Sequence, residues 1–116
     1  MELSKETSEK IGELQVLERN EQALLAQKQS VQIELNEVSN ALQEVKTTKD
    51  EVYKTIAGVM LKVGKDAMLK ELEEKKKILE MKLSSVEKQE KLIEERSEKL
   101  KNEINSSLKN NNKKKE

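Results

Sequence analysis

The stretch Val52-Tyr53-Lys54-Thr55-Ile56-Ala57-Gly58-Val59-Met60-Leu61-Lys62-Val63 is the one place in the chain where β-branched and aliphatic residues gather and helical spacing of apolar residues stops. Two short apolar runs flank Ala57-Gly58, which reads as a β-hairpin with a two-residue or slightly longer turn. Alanine at the first turn position argues against an ideal primed turn. With Ile56 facing Val59, the two-residue period of strands sorts the side chains. Val52, Lys54, Ile56, Val59, Leu61 and Val63 share one face; Tyr53, Thr55, Met60 and Lys62 share the other. The first face is apolar except for Lys54. An isolated two-stranded hairpin is marginal in water, and no other part of the sequence reads as a strand. The hairpin is therefore expected to join strands of other chains, forming an oligomer built on a shared sheet or barrel. A hairpin folded back on its own helices is the alternative.

Working outward, the segment before the hairpin carries a heptad pattern. With position a at Leu14, the a series is Leu14, Glu21, Lys28, Leu35 and Leu42, and the d series is Leu3, Lys10, Leu17, Leu24, Val31, Val38 and Val45. From Leu14 to Val45 all but Glu21 and Lys28 are apolar, which predicts one packing stripe on a long helix. The segment after the hairpin repeats the pattern. Its a positions are Leu69, Lys76, Leu83, Glu90, Ser97 and Ile104, and its d positions are Leu72, Leu79, Val86, Ile93, Leu100 and Ser107. Asp66 is a candidate N-cap for this second helix. The predicted organisation is a single domain over 1–108, with an arm at 1–48, a hairpin at 51–64, an arm at 66–108, and a disordered basic tail at 109–116.

The two arms pair naturally in an antiparallel register centred on Ala57. The inner layers become Val45–Leu69, Leu42–Leu72, Val38–Lys76, Leu35–Leu79 and Val31–Leu83. Most outer layers instead mix one polar with one apolar residue, for example Leu24–Glu90, Glu21–Ile93 and Leu17–Ser97. Polar seam residues weaken pairing, so the outer ends are expected to be looser. There Ile11, Leu14, Val16, Leu17, Leu100, Ile104 and Leu108 either offer apolar surface to a partner or simply fray.

Composition narrows the function classes. Charged residues make up 40% of the 116 and aromatics 1%, with Tyr53 the only ring. Proline is absent and glycine occurs three times, which permits long uninterrupted helices. The chain has no histidine and no cysteine, so the commonest acid–base, nucleophilic and metal-binding arrangements have no residues to use. No enzyme activity and no cofactor are expected. Lys plus Arg equals Asp plus Glu at 23 each, so no overall field draws the chain to nucleic acid, and the tail lysines alone make a weak case for it. No run suits a signal peptide or a membrane span, and a cytoplasmic location is expected.

At the hairpin the sequence closely resembles the prefoldin β-type subunit family. The resemblance is carried by Val52-Tyr53-Lys54, Gly58, Leu61-Lys62, then Lys65-Asp66 leading to Leu69 and Glu71-Leu72, and further on Glu87-Lys88-Gln89-Glu90. It implies a mainly α fold in which a long antiparallel two-helix coiled coil is joined by a central β-hairpin that pairs with hairpins of other subunits in a β-barrel. It also implies a hexamer of two α-type and four β-type chains. In such an assembly Val52, Tyr53, Ile56, Gly58, Val59, Met60, Leu61 and Val63 would make the subunit contacts. The coiled-coil tips, with Ile11, Leu14, Val16, Leu17, Leu100, Ile104 and Leu108, would hold unfolded or nascent proteins without ATP and pass them to a group II chaperonin. A structural coiled-coil spacer or tether without client binding is the competing reading.

Overall fold

The computed structural model describes residues 4–115. The elements follow in the order α1 (Lys5–Thr47), β1 (Val52–Ile56), β2 (Val59–Val63) and α2 (Lys65–Lys115). Each boundary has a local cause. Ser4 caps α1: its Oγ accepts a hydrogen bond from the Thr7 amide at 3.1 Å, and its carbonyl accepts from the Ser8 amide at 3.0 Å. Nothing interrupts α1 for 43 residues. At its far end the Thr47 hydroxyl donates to the Gln43 carbonyl at 3.0 Å, and the Asp50 amide donates to Thr48 Oγ1 at 3.2 Å, turning the chain out of the helix. Lys65 Nζ then donates to the Thr48 carbonyl at 3.0 Å, placing a cation on a helix C-terminus where carbonyls lack partners.

The hairpin has the register expected from its side-chain pattern. Val52 pairs with Val63, Lys54 with Leu61, and Ile56 with Val59 on one face; Tyr53 pairs with Lys62 and Thr55 with Met60 on the other. The turn is where the sequence reading fell short. Ala57 has φ 49° and Gly58 has φ 81°, and positive φ at both central residues is the mark of a type I′ turn. The right-handed twist of two strands joined by two residues selects this turn even though alanine is disfavoured there.

The cap of α2 also differs from expectation. The Met68 amide donates to the Gly64 carbonyl at 3.0 Å, so Gly64 occupies the cap position and Asp66 lies inside the first turn. There its charge still complements the positive end of the helix dipole. The helix runs through Lys109 and Asn110 to Lys115, past residue 108 where the sequence reading ends the second arm. With no Pro or Gly after Gly64, no residue forces a stop. Met1 to Leu3 of the first arm and Glu116 of the basic tail lie outside the described residues.

The chain divides into two compact units, and each contains a stretch of both helices. The hairpin unit, Lys28–Ser85, holds the hairpin and the inner helical segments. Its core is Val31, Val38, Leu42, Leu72 and Leu79, with Leu35, Ala41, Val45, Met68, Leu69 and Leu83 packed against it. Every apolar member of the five expected inner layers belongs to this cluster. The terminal unit, Met1–Gln27 with Val86–Glu116, buries Leu24, Val86, Leu100 and Ile104, and also the polar Thr7 and Ser97. Thr7 is another a position, one heptad before Leu14, and its hydroxyl accepts a 2.8 Å hydrogen bond from Ser4 Oγ. The Ser97 hydroxyl is buried with no hydrogen-bond partner. Among the described residues no helix is long and apolar enough to cross a membrane.

Candidate functional site

Two surfaces carry the residues singled out from the sequence. The first is the hairpin. At its base Val52 and Val63 are half-buried. Towards the turn, Ile56, Val59 and Leu61 are 49%, 57% and 47% exposed. The apolar face is thus left open by its own chain, and the alternative of a hairpin folded back on its helices does not hold. Each strand also keeps one edge without a ladder partner, since the sheet has only β1 and β2. Lys54, the single charge on this face, forms an ion pair with Glu71 of α2. The face is therefore neutralised from within the chain.

The opposite face has its own polar arrangement. Tyr53 Oη donates to Glu51 Oε2 at 2.7 Å, and Lys62 Nζ donates to Glu51 Oε1 at 2.9 Å. The bond from Lys62, followed by that from Tyr53, holds the Glu51 carboxyl below its usual range. The same carboxylate pushes the Tyr53 phenol above its ordinary value. Tyr53, Met60 and Gly58 are all exposed. A β-strand surface this apolar on one side, with open edges on both, can dock against strands of matching character.

The second surface is the terminal unit. The expected client-binding residues divide sharply there. Val16 is exposed; Ile11, Leu14, Leu17 and Leu108 are half-buried; Leu100 and Ile104 are buried. Two ion pairs join the helices beside them. Arg96 donates from Nη2 and Nε to Glu13 Oε1, at 2.8 and 3.2 Å. Lys10 Nζ lies 3.5 Å from Glu103 Oε2 and 3.6 Å from Glu6 Oε1. The hydrogen bonds to Glu13, then its charge, raise the Arg96 pKa above its already high ordinary value. Glu13 and Arg96 both precede an a position, which is where antiparallel helices bring flanking charges together. Heptad spacing locates these positions, but on a surface so rich in charge it does not choose the partners. For that reason spacing alone does not single out Glu13, Arg96 or the Glu51 cluster.

No group of three or more His, Cys, Asp or Glu suited to a metal ion occurs among the described residues. The exposed apolar face and open strand edges of the hairpin are surface of the kind that contacts other chains.

Comparison with known proteins gives the same reading. The family model described as prefoldin subunit matches residues 8–111. The prefoldin subunit beta of Thermococcus kodakarensis is 38% identical over 100 residues, which is 84% of this chain and 86% of that protein. That of Pyrococcus horikoshii is 35% identical over the same shares. In structure, the crystallised prefoldin beta subunit from Thermococcus strain KS-1 superposes with a TM-score of 0.86 at 34% identity, covering 92% of this chain and 96% of that one. With the helix–hairpin–helix order, the hairpin register and these likenesses agreeing over nearly the whole length, the chain belongs to the prefoldin subunit family, on its β-type side, and is a chaperone subunit rather than an enzyme.

Proposed function

We propose that the open hairpin face is the assembly surface and that the terminal unit is the client-holding surface of this subunit. The single observation that carries the reading is the exposure of Ile56, Val59 and Leu61 beside two unpaired strand edges. Hairpins of neighbouring subunits close this face into a β-barrel, which removes every open edge at once. The partners are α-type subunits, in a hexamer of two α-type and four β-type chains. Weak apolar contacts from several arms then add up on one unfolded chain, so no deep pocket and no nucleotide are required. Clients held in this way pass to a group II chaperonin, and the work is done in the cytoplasm.

Two measurements test the proposal. Native mass should rise from that of the chain alone to that of a hexamer when an α-type subunit is added. Removing residues before about 18 and after about 98 should abolish suppression of client aggregation while the assembly survives. A truncated assembly that still holds clients would place the client surface elsewhere.

A further inference from the structure

Leu100 is 1% exposed and Ile104 8%, so two of the apolar residues best suited to hold a client are shut away from it. The ion pairs of the terminal unit lie alongside them, on one flank of α2. Along α2, Arg96 lies one turn before Leu100, and Glu103 lies just before Ile104. Each reaches across to α1, to Glu13 and to Lys10 respectively. Beneath the bridges the seam is weak, because the buried Ser97 hydroxyl has no hydrogen-bond partner. The bridges themselves are partly exposed, with side chains 44% and 46% accessible for Arg96 and Glu13, and 24% and 35% for Lys10 and Glu103. Exposed pairs of this kind are weak and are screened by salt. The arrangement combines an apolar seam, a flawed layer and a fastening that opens easily.

We infer that Glu13–Arg96 and Lys10–Glu103 form a clasp that holds the terminal unit closed over Leu100 and Ile104, and that unfolded chains are captured by the unclasped form. This rests on the client-holding role proposed above for the same unit. The closed form competes with the client, so apparent affinity equals intrinsic affinity reduced by the fraction open. Removing one exposed bridge should raise that fraction, and hence capture, by about two- to fivefold.

The test uses the full chain in its assembled form and, as probe, reduced and carboxymethylated α-lactalbumin, which stays unfolded. Arg96→Gln should tighten capture by about two- to fivefold at low ionic strength. The exchange Glu13→Arg with Arg96→Glu should return capture to the starting value, which a merely structural disturbance would not do. The chain contains no cysteine, so on this chain a cleavable thiol cross-linker reacts only where cysteine is introduced. Glu13→Cys with Arg96→Cys, once linked, should capture about tenfold less and recover when the linker is cleaved. Unchanged capture in Arg96→Gln, or full capture in the linked form, overturns the clasp. The truncation lacking residues before about 18 and after about 98 separates the two readings. If it abolishes capture while linking does not, the clasp falls and the client surface stands; if it leaves capture intact, the client surface itself is refuted.

Discussion

Replacing Val59 with threonine probes the assembly surface with little disturbance of the subunit. Threonine keeps the β-branched shape that strands favour, and Val59 is 57% exposed in the lone chain. A change at so open a site should alter the stability of the subunit by no more than about 0.5 kcal/mol. Docking is another matter. Full burial of a valine side chain is worth about 1.5–3 kcal/mol, and roughly half of that remains to be gained at Val59, or about 1 kcal/mol. The threonine hydroxyl, if buried without a partner, adds a penalty of about 1–3 kcal/mol. A loss near 2 kcal/mol per contact corresponds to roughly a 30-fold weaker interface. Leu61→Thr, at 47% exposure in the middle of the same face, should act in the same way. The assay is sedimentation velocity over a concentration series, with helical circular dichroism as the check on folding. Ile33→Gln is the control, since Ile33 is exposed on α1 away from the hairpin and should leave the mass unchanged. An assembly midpoint that moves less than about threefold in both hairpin variants would refute the claim that this face is the contact surface.

Three further expectations concern single features. Ala57 sits at φ 49°, a conformation costing an L-residue about 1–2 kcal/mol. Ala57→Asn should therefore raise hairpin stability by about 1 kcal/mol, and Ala57→Gly by somewhat less because glycine loses more entropy on folding; a thermal melt that falls in both would contradict the turn assignment. Ser97→Ala removes a buried hydroxyl without a partner and improves helix propensity, so it should stabilise the helices by about 1 kcal/mol. Guanidinium unfolding would show it, and a destabilised variant would mean that the hydroxyl has a partner in solution. The only aromatic ring lies in the hairpin, so phenol absorbance reports on that element alone. Its alkaline midpoint should lie above the ordinary tyrosine value and fall back in Glu51→Gln. For Glu51 the sign is opposite: its carboxyl is held low, so its contribution is present above the unfolded carboxylate pKa and is lost as pH drops through the folded one. A phenol midpoint that does not change in Glu51→Gln would remove the Tyr53–Glu51 bond.

How much of this was legible in the sequence follows from the kind of signal each residue carries. Periodicity is a property of many residues together, and it indicated two long helices, a hairpin between them and the hairpin's register, as the structure has them. The inner core of Val31, Val38, Leu42, Leu72 and Leu79 lies on the a and d series without exception. Single-residue features were harder. Alanine has little intrinsic tendency to the left-handed region, so strand twist overrode local preference at Ala57. Asp66 looked like the cap because of its side chain, whereas Gly64 is the residue whose carbonyl meets the first helical amide. In the terminal unit the mixed layers suggested open apolar groups, yet Leu100 and Ile104 are buried. The bridging charges that flank them could not be paired by spacing alone, because each has several oppositely charged neighbours within reach along a helix.

The turn at Ala57-Gly58 also governs the order in which the chain can fold. The Lys54–Glu71 ion pair joins residues 17 apart in sequence, whereas Glu13 and Arg96 are 83 apart. Loop-closure probability falls as about the three-halves power of length, so the longer closure is roughly tenfold less probable if attempted first. Once the turn is made, each heptad brings the next within reach, so the helices are expected to zip from the hairpin towards the termini. Hydrogen exchange should accordingly find the slowest amides around Val45 and Leu69 and the fastest around Lys10 and Glu103. Because the strained Ala57 lies in the segment that must form first, relieving it should speed folding rather than slow unfolding. During synthesis the whole of α1 emerges before any part of α2 exists to cover it. This subunit thus begins its own life as an unpaired apolar stripe, the condition its family attends to in other proteins.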